Sequence, residues 1–363
     1  MERPVERPTK RLVAIFRDPL HTFLLLAVVV GGYLVVVVPY FGGTDEPAHF
    51  YRSYQISTGQ FVPEKIAGSD FSGFCAPKDL VSDVERYKAS YLKHLEALAG
   101  VELPTLPSAR QRRCSSKADA PETFSTFGSP VPYAPQVLAI LAAREVGAGA
   151  GGMLLAGRIA LLAAYVTIVA FAIRRAPRAR WALVATALIP VAVFQSASSL
   201  SPDAFTTAVA LLVVSSALRA LDPPAGATPR HLVVEAALLS ALLGVCKPAY
   251  VVVAGCYLLP LLGSRERRAK LWGLAPAAAV GVVVTLVWNE IVGGVWRTDA
   301  TLFGARPDPP ARKHDLFTAP WHFVADAART VPDQFWDWLK GLWGVGPSVT
   351  NWPGAVIVVA VVL

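Results

Sequence analysis

The sequence predicts an all-α, polytopic membrane protein with about seven full transmembrane helices. Three observations lead to this prediction: 54% of the 363 residues are hydrophobic, the mean hydropathy is +0.45, and long apolar runs alternate with short basic segments. Soluble globular proteins are less apolar than this. The net charge of +8 does not indicate a nucleic-acid partner, because the basic residues directly flank apolar runs and so set membrane orientation.

The N-terminal part of the chain combines a basic segment with the first apolar run. Residues 1–19 are basic, which by the positive-inside rule predicts a cytoplasmic N-terminus. The run over residues 20–41 is long enough to span a bilayer and lacks a small-residue cleavage site. We therefore interpret it as a retained transmembrane helix rather than a signal peptide.

A long polar segment over residues 42–152 is predicted to lie outside the cytoplasm, because translocated loops of this length escape the charge rule. Within it, residues 131–146 are bounded by prolines and are too short to cross comfortably, which favours a helix in the membrane interface. Cys75 and Cys114 also lie in this segment. In an oxidising compartment they are able to form a disulfide closing a loop of about forty residues, worth a few kcal/mol.

Six further spans are predicted within residues 153–292. The first of them, over residues 153–173, ends in the strongest cytoplasmic marker of the chain, an arginine-rich run over residues 174–180. The others are two helical hairpins with outer tips and a seventh span, at residues 181–220, 231–263 and 272–292.

The C-terminal part is predicted to add a second outer segment over residues 293–351. It contains aromatic residues at helical spacing, which suit another helix in the outer interface. An eighth apolar run over residues 352–363 is too short to cross. We interpret it as the start of a truncated eighth transmembrane helix.

Ionisable residues at the ends of these spans are predicted to share the outer side. Charges at membrane depth are costly and by default mark a functional site. Simpler roles remain open, because a carboxylate can cap a helix and a long basic side chain can extend to the interface. The residues are Asp45, Glu46, His49 and Arg52 after span one, Arg158 in the outer half of span two, and Asp203 and Lys247 at the hairpin tips.

Five short motifs contain most of these residues. They are the run from Asp45 to Ile56 with Gly59, the segment from Pro130 to Gln136, Gly157-Arg158, Ser201-Pro202-Asp203-Ala204 and Cys246-Lys247-Pro248. With these motifs the chain resembles the bacterial membrane-protein family catalogued as domain of unknown function 2142. Its layout is similar to that of the GT-C class of integral membrane glycosyltransferases, which share a large first outer loop with an acidic motif, an interfacial helix and a later acidic residue.

The resemblance implies an enzyme of the cell membrane, an inverting GT-C-type glycosyltransferase that modifies a cell-envelope glycan or glycolipid. Its partners would be a polyprenyl-phosphate sugar and membrane lipids. Such a transfer needs a base for the acceptor hydroxyl and cations for the departing phosphate. We predict Asp45 as the base and Glu46 as its partner or alternative. The phosphate would be bound by Arg52, Arg158 and Lys247, while Asp203 and His49 would orient the acceptor or help to hold a divalent cation.

Two other functions remain open at this point. A transporter or flippase of a lipid-linked or anionic substrate also places charges at hairpin tips and broken helices. Its substrate groups would lie near the midplane, however, and the sequence has no recognisable inverted repeat. A non-catalytic assembly protein of envelope synthesis is the other alternative.

Overall fold

The computed structural model describes residues 16–43, 45–62, 64–65, 72–99, 123–124, 128–222, 228–263, 268–292, 314–315 and 318–343. Within these ranges the chain is mostly helical. The start of the predicted eighth helix, most of the segment 293–351 and Cys114 lie outside the described residues.

The elements follow one another as helices interrupted by a small sheet. The α-helices are α1 (Pro19–Val37), α2 (Glu46–Ser57), α3 (Lys78–Ala99), α4 (Ala134–Glu145), α5 (Ala150–Arg175), α6 (Arg180–Ala187), α7 (Pro190–Ser198), α8 (Pro202–Leu221), α9 (Arg230–Cys246), α10 (Leu271–Ile291) and α11 (Pro320–Trp343). The 3-10 helices within the described ranges are η1 (Val131–Tyr133) and η2 (Pro248–Leu262). The strands are β1 (Glu64–Lys65), β2 (Ser72–Phe74) and β3 (Thr123–Phe124).

The small sheet is an addition to the all-α fold that the sequence predicts. Its strands pair antiparallel in the order β1-β2-β3. Gly73 in the central strand lies opposite Glu64 on one side and Phe124 on the other. Strands of two or three residues carry too little alternation to be read from sequence.

Four of the described helices, α1, α5, α8 and α10, are long and apolar enough to cross a membrane. Helices α6 and α7 are bent by 59° relative to each other and form a fifth candidate if they are taken as one broken span. The remaining apolar elements are shorter, with 17 residues in α9 and 15 in η2. The membrane character predicted from composition is therefore present in four or five helices.

Caps and prolines determine where these helices begin and end. The Asp18 side chain accepts a hydrogen bond from the Leu20 N–H at 2.8 Å and so caps α1. A residue before proline is pushed toward extended backbone, and Val38, before Pro39, has a ψ of 122°. The same effect at Pro190 separates α6 from α7.

Contacts at the helix ends give the direction of α1, α5 and α8. Arg158, near the start of α5, donates hydrogen bonds to main-chain oxygens at the end of α1, so these two helices run antiparallel. The Ser215 hydroxyl, near the end of α8, donates to the Ala172 oxygen near the end of α5 at 2.7 Å. Helices α5 and α8 therefore run parallel.

Ion pairs join α8 to α9 at both ends. Lys247, which follows α9, lies 2.7 Å from Asp203 in the first turn of α8. Arg219 near the end of α8 lies 3.3 Å from Glu235 near the start of α9. These helices therefore run antiparallel.

Helices α9 and α10 run parallel and touch through glycine. A Cβ atom added at Gly244 would lie 2.2 Å from the Gly281 oxygen. A Cβ atom added at Gly273, earlier in α10, would lie 2.8 Å from Val233, earlier in α9. Only residues without side chains allow the two backbones to approach this closely.

Element η2 connects α9 to the segment before α10. Its buried residues recur at every third position, at Ala254, Tyr257 and Pro260. A 3-10 helix has three residues per turn, so side chains three apart lie directly above one another. The buried stripe of η2 therefore matches its winding.

These directions give the bundle two chemically different ends. We name the end at which α1 and α9 finish and α5 and α8 begin the site end. The opposite end, at which α5 and α8 finish and α9 and α10 begin, is the arginine end. Its basic residues include Arg174, Arg175, Arg178, Arg219 and Lys270.

Segments outside the bundle cover the site end. The cluster that they form with α5 includes the buried side chains Phe41, Phe50, Phe74, Leu80, Val84, Ile140 and Leu154. Helix α4 lies within the predicted interfacial segment and buries one face, while its Leu138 is 66% exposed. In α11, Trp321, Val324 and Phe335 on one helical face are also exposed. Exposed apolar faces of this kind suit a helix lying in an interface.

We expect Gly244→Ala to lower the free energy of unfolding by about 1–3 kcal/mol, because the added methyl group overpacks the contact with α10. The measurement is unfolding in mild detergent followed by circular dichroism. Gly32→Ala is the matched control, because Gly32 in α1 has open space around its Cβ position. The control should be neutral or slightly stabilising, and equal losses in both variants would contradict the close packing.

Candidate functional site

A fully buried ion pair between Glu46 and Arg158 lies at the centre of the site end. The guanidinium binds the carboxylate in a bidentate manner, with Nη2 to Oε2 at 2.6 Å and Nε to Oε1 at 2.7 Å. Both side chains are 0% exposed. Burial raises the pKa of Glu46, and the charge and hydrogen bonds of Arg158 oppose that shift.

Arg158 also closes the end of α1. Its remaining N–H groups donate to the main-chain oxygens of Val35 at 3.2 Å, Val38 at 2.8 Å and Pro39 at 2.9 Å. The last carbonyls of a helix have no partner within the helix. A guanidinium has five N–H donors, and all five are used here, two on the carboxylate and three on carbonyls.

Arg52 in α2 is equally enclosed but pairs with neutral acceptors. It is fully buried and donates to the oxygens of Gly128 at 3.0 Å, Phe61 at 2.6 Å and Gln55 at 2.8 Å. Burial lowers the pKa of Arg52 to about 10, so the group stays charged at neutral pH. Its contacts tie α2 to the chain segments before β1 and before η1.

Three charged residues of the predicted site are at least partly exposed, and they come from separate elements. Asp45 is exposed and precedes α2 in the left-handed conformation, with a φ of 53° and no side-chain capping bond. Asp203 and Lys247 form their 2.7 Å ion pair with side chains 24% and 45% exposed. Ser201 caps α8 by accepting from the Asp203 N–H, so the Asp203 carboxylate does not have the capping role left open by the sequence.

His49 lies among these charges. Its Nδ1 is 2.8 Å from the Tyr133 hydroxyl. Burial lowers the pKa of His49 to about 4, while the charges of Asp203 and Asp45 act to raise it and that of Lys247 to lower it. The ring is therefore neutral at physiological pH and lies within electrostatic reach of both carboxylates and the ammonium group.

The backbone around this group is strained. Phe41, Asp45 and Leu200 have positive φ values of 61°, 53° and 49°, although none is glycine. Such conformations cost about 1–3 kcal/mol and tend to occur at functional sites. The two turns that contain them meet at Gly43, where an added Cβ atom would lie 1.8 Å from the Ser198 oxygen.

Sequence reasoning missed three residues of this site. Tyr133 contacts His49, and the Gln136 side chain donates to the Leu200 oxygen at 3.2 Å. Tyr133 and Gln136 belong to the Pro130–Gln136 motif, which is recognisable in the sequence but does not by itself indicate a role for either residue. Leu200 had no sequence signal, because its importance lies in its backbone.

The predicted site residues thus divide into two groups. Asp45, His49, Asp203 and Lys247 form a polar group at the site end. Glu46, Arg52 and Arg158 are fully buried, and the hydrogen bonds described above join them to other groups of the protein. These contacts favour a positioning role for the second group, instead of the proton-transfer and phosphate-binding roles that the sequence suggested.

Two further predictions concern cysteines and metal. Cys75 is disulfide-bonded, Cys246 and Cys256 are free thiols, and Cys114 lies outside the described residues. Among the described residues, no three His, Cys, Asp or Glu side chains form a group able to hold a metal ion. The described side chains therefore offer no ready ligand set for the divalent cation.

We expect Arg158→Ala to destabilise the protein by about 3–5 kcal/mol, because it leaves the Glu46 carboxylate buried without its cationic partner. Thermal unfolding in detergent measures the loss. Arg178→Ala is the matched control, since Arg178 and Asp222 form an ion pair more than half exposed and such pairs are worth about 1 kcal/mol or less. A similar loss in both variants would disprove the structural role of the buried pair.

We expect the His49 imidazole to titrate near pH 4 in the folded protein, as measured by NMR of ¹⁵N-labelled histidine. Because this pKa is below the ordinary value of 6.5, the unfolded state binds the proton first. Stability should therefore fall as the pH drops from about 6.5 toward 4. His49→Gln should remove this part of the pH dependence, and a folded-state titration near 6.5 would refute the expectation.

Comparison with known proteins gives one match. The family model described as a predicted membrane protein, DUF2142, matches residues 28–363. No curated protein and no solved structure matches the chain. Since the match covers nearly the whole sequence, the chain belongs to the DUF2142 family of predicted membrane proteins.

Proposed function

We propose that this protein is an inverting membrane glycosyltransferase of GT-C-like layout, which transfers a sugar from a polyprenyl-phosphate donor outside the cytoplasm. The observation that supports it best is the grouping of Asp45, His49, Asp203 and Lys247 at the site end, opposite the arginine end. Both an acid–base group and a cation for phosphate are then available at one surface. The basic residues that would orient the protein in the membrane lie at the arginine end.

The proposed topology has seven crossings, formed by α1, α5, the pair α6–α7, α8, α9, η2 and α10. Seventeen residues of α-helix extend for about 25 Å, so α9 nearly spans the hydrocarbon core of about 30 Å. Fifteen residues of 3-10 helix at about 2.0 Å each extend for about 30 Å, so η2 is long enough despite its few residues. With the arginine end in the cytoplasm, the site end would lie outside, in the cell membrane.

In the proposed reaction Asp45 is the general base. Its carboxylate takes the proton from the acceptor hydroxyl, whose oxygen forms a bond to the anomeric carbon of the donor sugar. The bond from that carbon to the phosphate oxygen breaks, and its electron pair leaves with the lipid phosphate. Attack from the opposite face inverts the anomeric configuration. An exposed carboxylate with no capping bond is suited to this role, because its lone pairs are available to substrate.

Substrate binding would break the ion pair between Lys247 and Asp203, and each of the two side chains would then bind one substrate. The donor phosphate would replace Asp203 as the partner of Lys247, which stabilises the charge that develops on the departing phosphate. Asp203 is then available to accept a hydrogen bond from the acceptor. Neutral His49 would orient the acceptor hydroxyl, since an imidazole can donate or accept a hydrogen bond. Glu46, Arg52 and Arg158 would position these groups without touching substrate.

The test is transfer activity in membranes supplied with a panel of polyprenyl-phosphate sugars. We expect Asp45→Asn to reduce transfer by a factor of about 10²–10⁴, the usual contribution of a general base, at unchanged expression. Glu290→Gln is the matched control, because Glu290 is also exposed and has no role in the proposal. Undiminished transfer by the Asp45 variant would rule out the assignment.

The alternatives give different results in the same preparation. A transporter or flippase would move the lipid-linked substrate across proteoliposomes without transferring the sugar. In a non-catalytic assembly protein, changing Asp45 would alter expression or complex formation, with no effect on a chemical step.

A further inference from the structure

A cavity of about 330 Å³ lies between the turn after α1 and helix α3. Its described lining consists of Pro39, Tyr40, Tyr87, Ser90 and Tyr91. The predicted site residues are absent from this lining. The cavity is therefore separate from the polar group that contains Asp45, although both lie at the site end.

The lining is aromatic and hydroxylated, and no described member carries a charge. The rings of Tyr40 and Tyr87 pack edge to face with centroids 5.4 Å apart. The Tyr91 hydroxyl is buried and has no hydrogen-bond partner in the described part of the chain. That oxygen is enclosed by protein atoms, so a ligand in the cavity would contact the Tyr91 ring, whereas the hydroxyl group of the exposed Ser90 is open to it.

Two glycines make room for these tyrosines. A Cβ atom at Gly151, in the first turn of α5, would lie 2.8 Å from the Tyr87 hydroxyl and 3.0 Å from the Tyr40 ring. A Cβ atom at Gly42 would lie 3.2 Å from the Tyr91 ring. The three tyrosine side chains can therefore come close together, because glycine at these two positions has no side chain to occupy the space.

The wall of the cavity also touches the buried ion pair. The guanidinium carbon of Arg158 lies 5.9 Å from the centre of the Tyr40 ring. Arg158 holds Glu46, and Glu46 directly follows Asp45. Tyr40, Arg158 and Glu46 therefore connect the wall of the cavity to the proposed base.

We propose that this tyrosine cavity binds a neutral sugar ring of one of the two substrates. This inference rests on the proposed function for its role in transfer, but the binding itself does not. Aromatic faces suit the C–H faces of a sugar, and hydroxyl groups at their edges suit its hydroxyls. The described lining has no charged member to bind a phosphate; the nearby Arg86 guanidinium lies 5.6 Å from the centre of the Tyr87 ring. An alkyl chain would cover the Ser90 hydroxyl without offering it a hydrogen-bond partner.

The test is saturation-transfer NMR with neutral hexoses and their short oligosaccharides on the purified protein in nanodiscs. We expect a signal with the unchanged protein and a loss of affinity of about tenfold in Ser90→Ala, which lacks only the exposed hydroxyl of the lining. Tyr87→Ala should abolish the signal. Tyr33→Phe is the matched control and should bind normally, because Tyr33 in α1 is 62% exposed.

Three outcomes would overturn the proposal. They are no signal from any neutral sugar, equal signals from the unchanged protein and the Ser90 and Tyr87 variants, and a signal from alkyl glycosides that arises from the alkyl chain alone. Asp45→Asn separates this inference from the proposed function, because it should lose transfer and keep sugar binding. Displacement of the free sugar by a polyprenyl-phosphate sugar would assign the cavity to the donor, and persistence of the signal would assign it to the acceptor.

Discussion

The buried ion pair of Glu46 and Arg158 is the constraint on which the site end depends. It joins three elements, because the guanidinium satisfies the final carbonyls of α1 from within α5, while the carboxylate belongs to the first turn of α2. Neither charge has access to water, so removing one would leave the other without compensation. The place of Asp45 follows from this pair, since a residue adjacent to Glu46 cannot move without disturbing it.

The number of available acceptors explains why similar charges have different environments. Arg52 and Arg158 are surrounded by main-chain oxygens, which match the several donors of a guanidinium and allow complete burial. Lys247 stands at a helix end with Asp203 as its ion-pair partner and nearly half of its side chain exposed. An ammonium group held in this way can exchange one anion for another, whereas the two guanidinium groups are committed to the fold.

The sequence predicted the apolar helices and the grouping of charges at one end, because hydropathy and the alternation of basic linkers act over whole segments. It did not predict which charges would be buried. Glu46 and Arg158 are more than a hundred positions apart, and no local spacing connects them. Helix α3 was also missed, because its amphipathic pattern is embedded in a long polar segment. The role of Leu200 depends on its left-handed backbone conformation, and a leucine in the sequence does not indicate such a conformation.

The winding of η2 has a consequence for Lys247, which directly precedes it. In an α-helix, residues three apart drift by about 60° around the axis, so the stripe of Ala254, Tyr257 and Pro260 would spiral away from its neighbours. The same stretch would also become about 7 Å shorter. The 3-10 winding thus sets the distance along η2 between Lys247 and the segment that precedes α10. A single inserted residue in η2 would rotate the part of the stripe that follows it by about 120° and so turn its buried side chains away from the neighbouring helices.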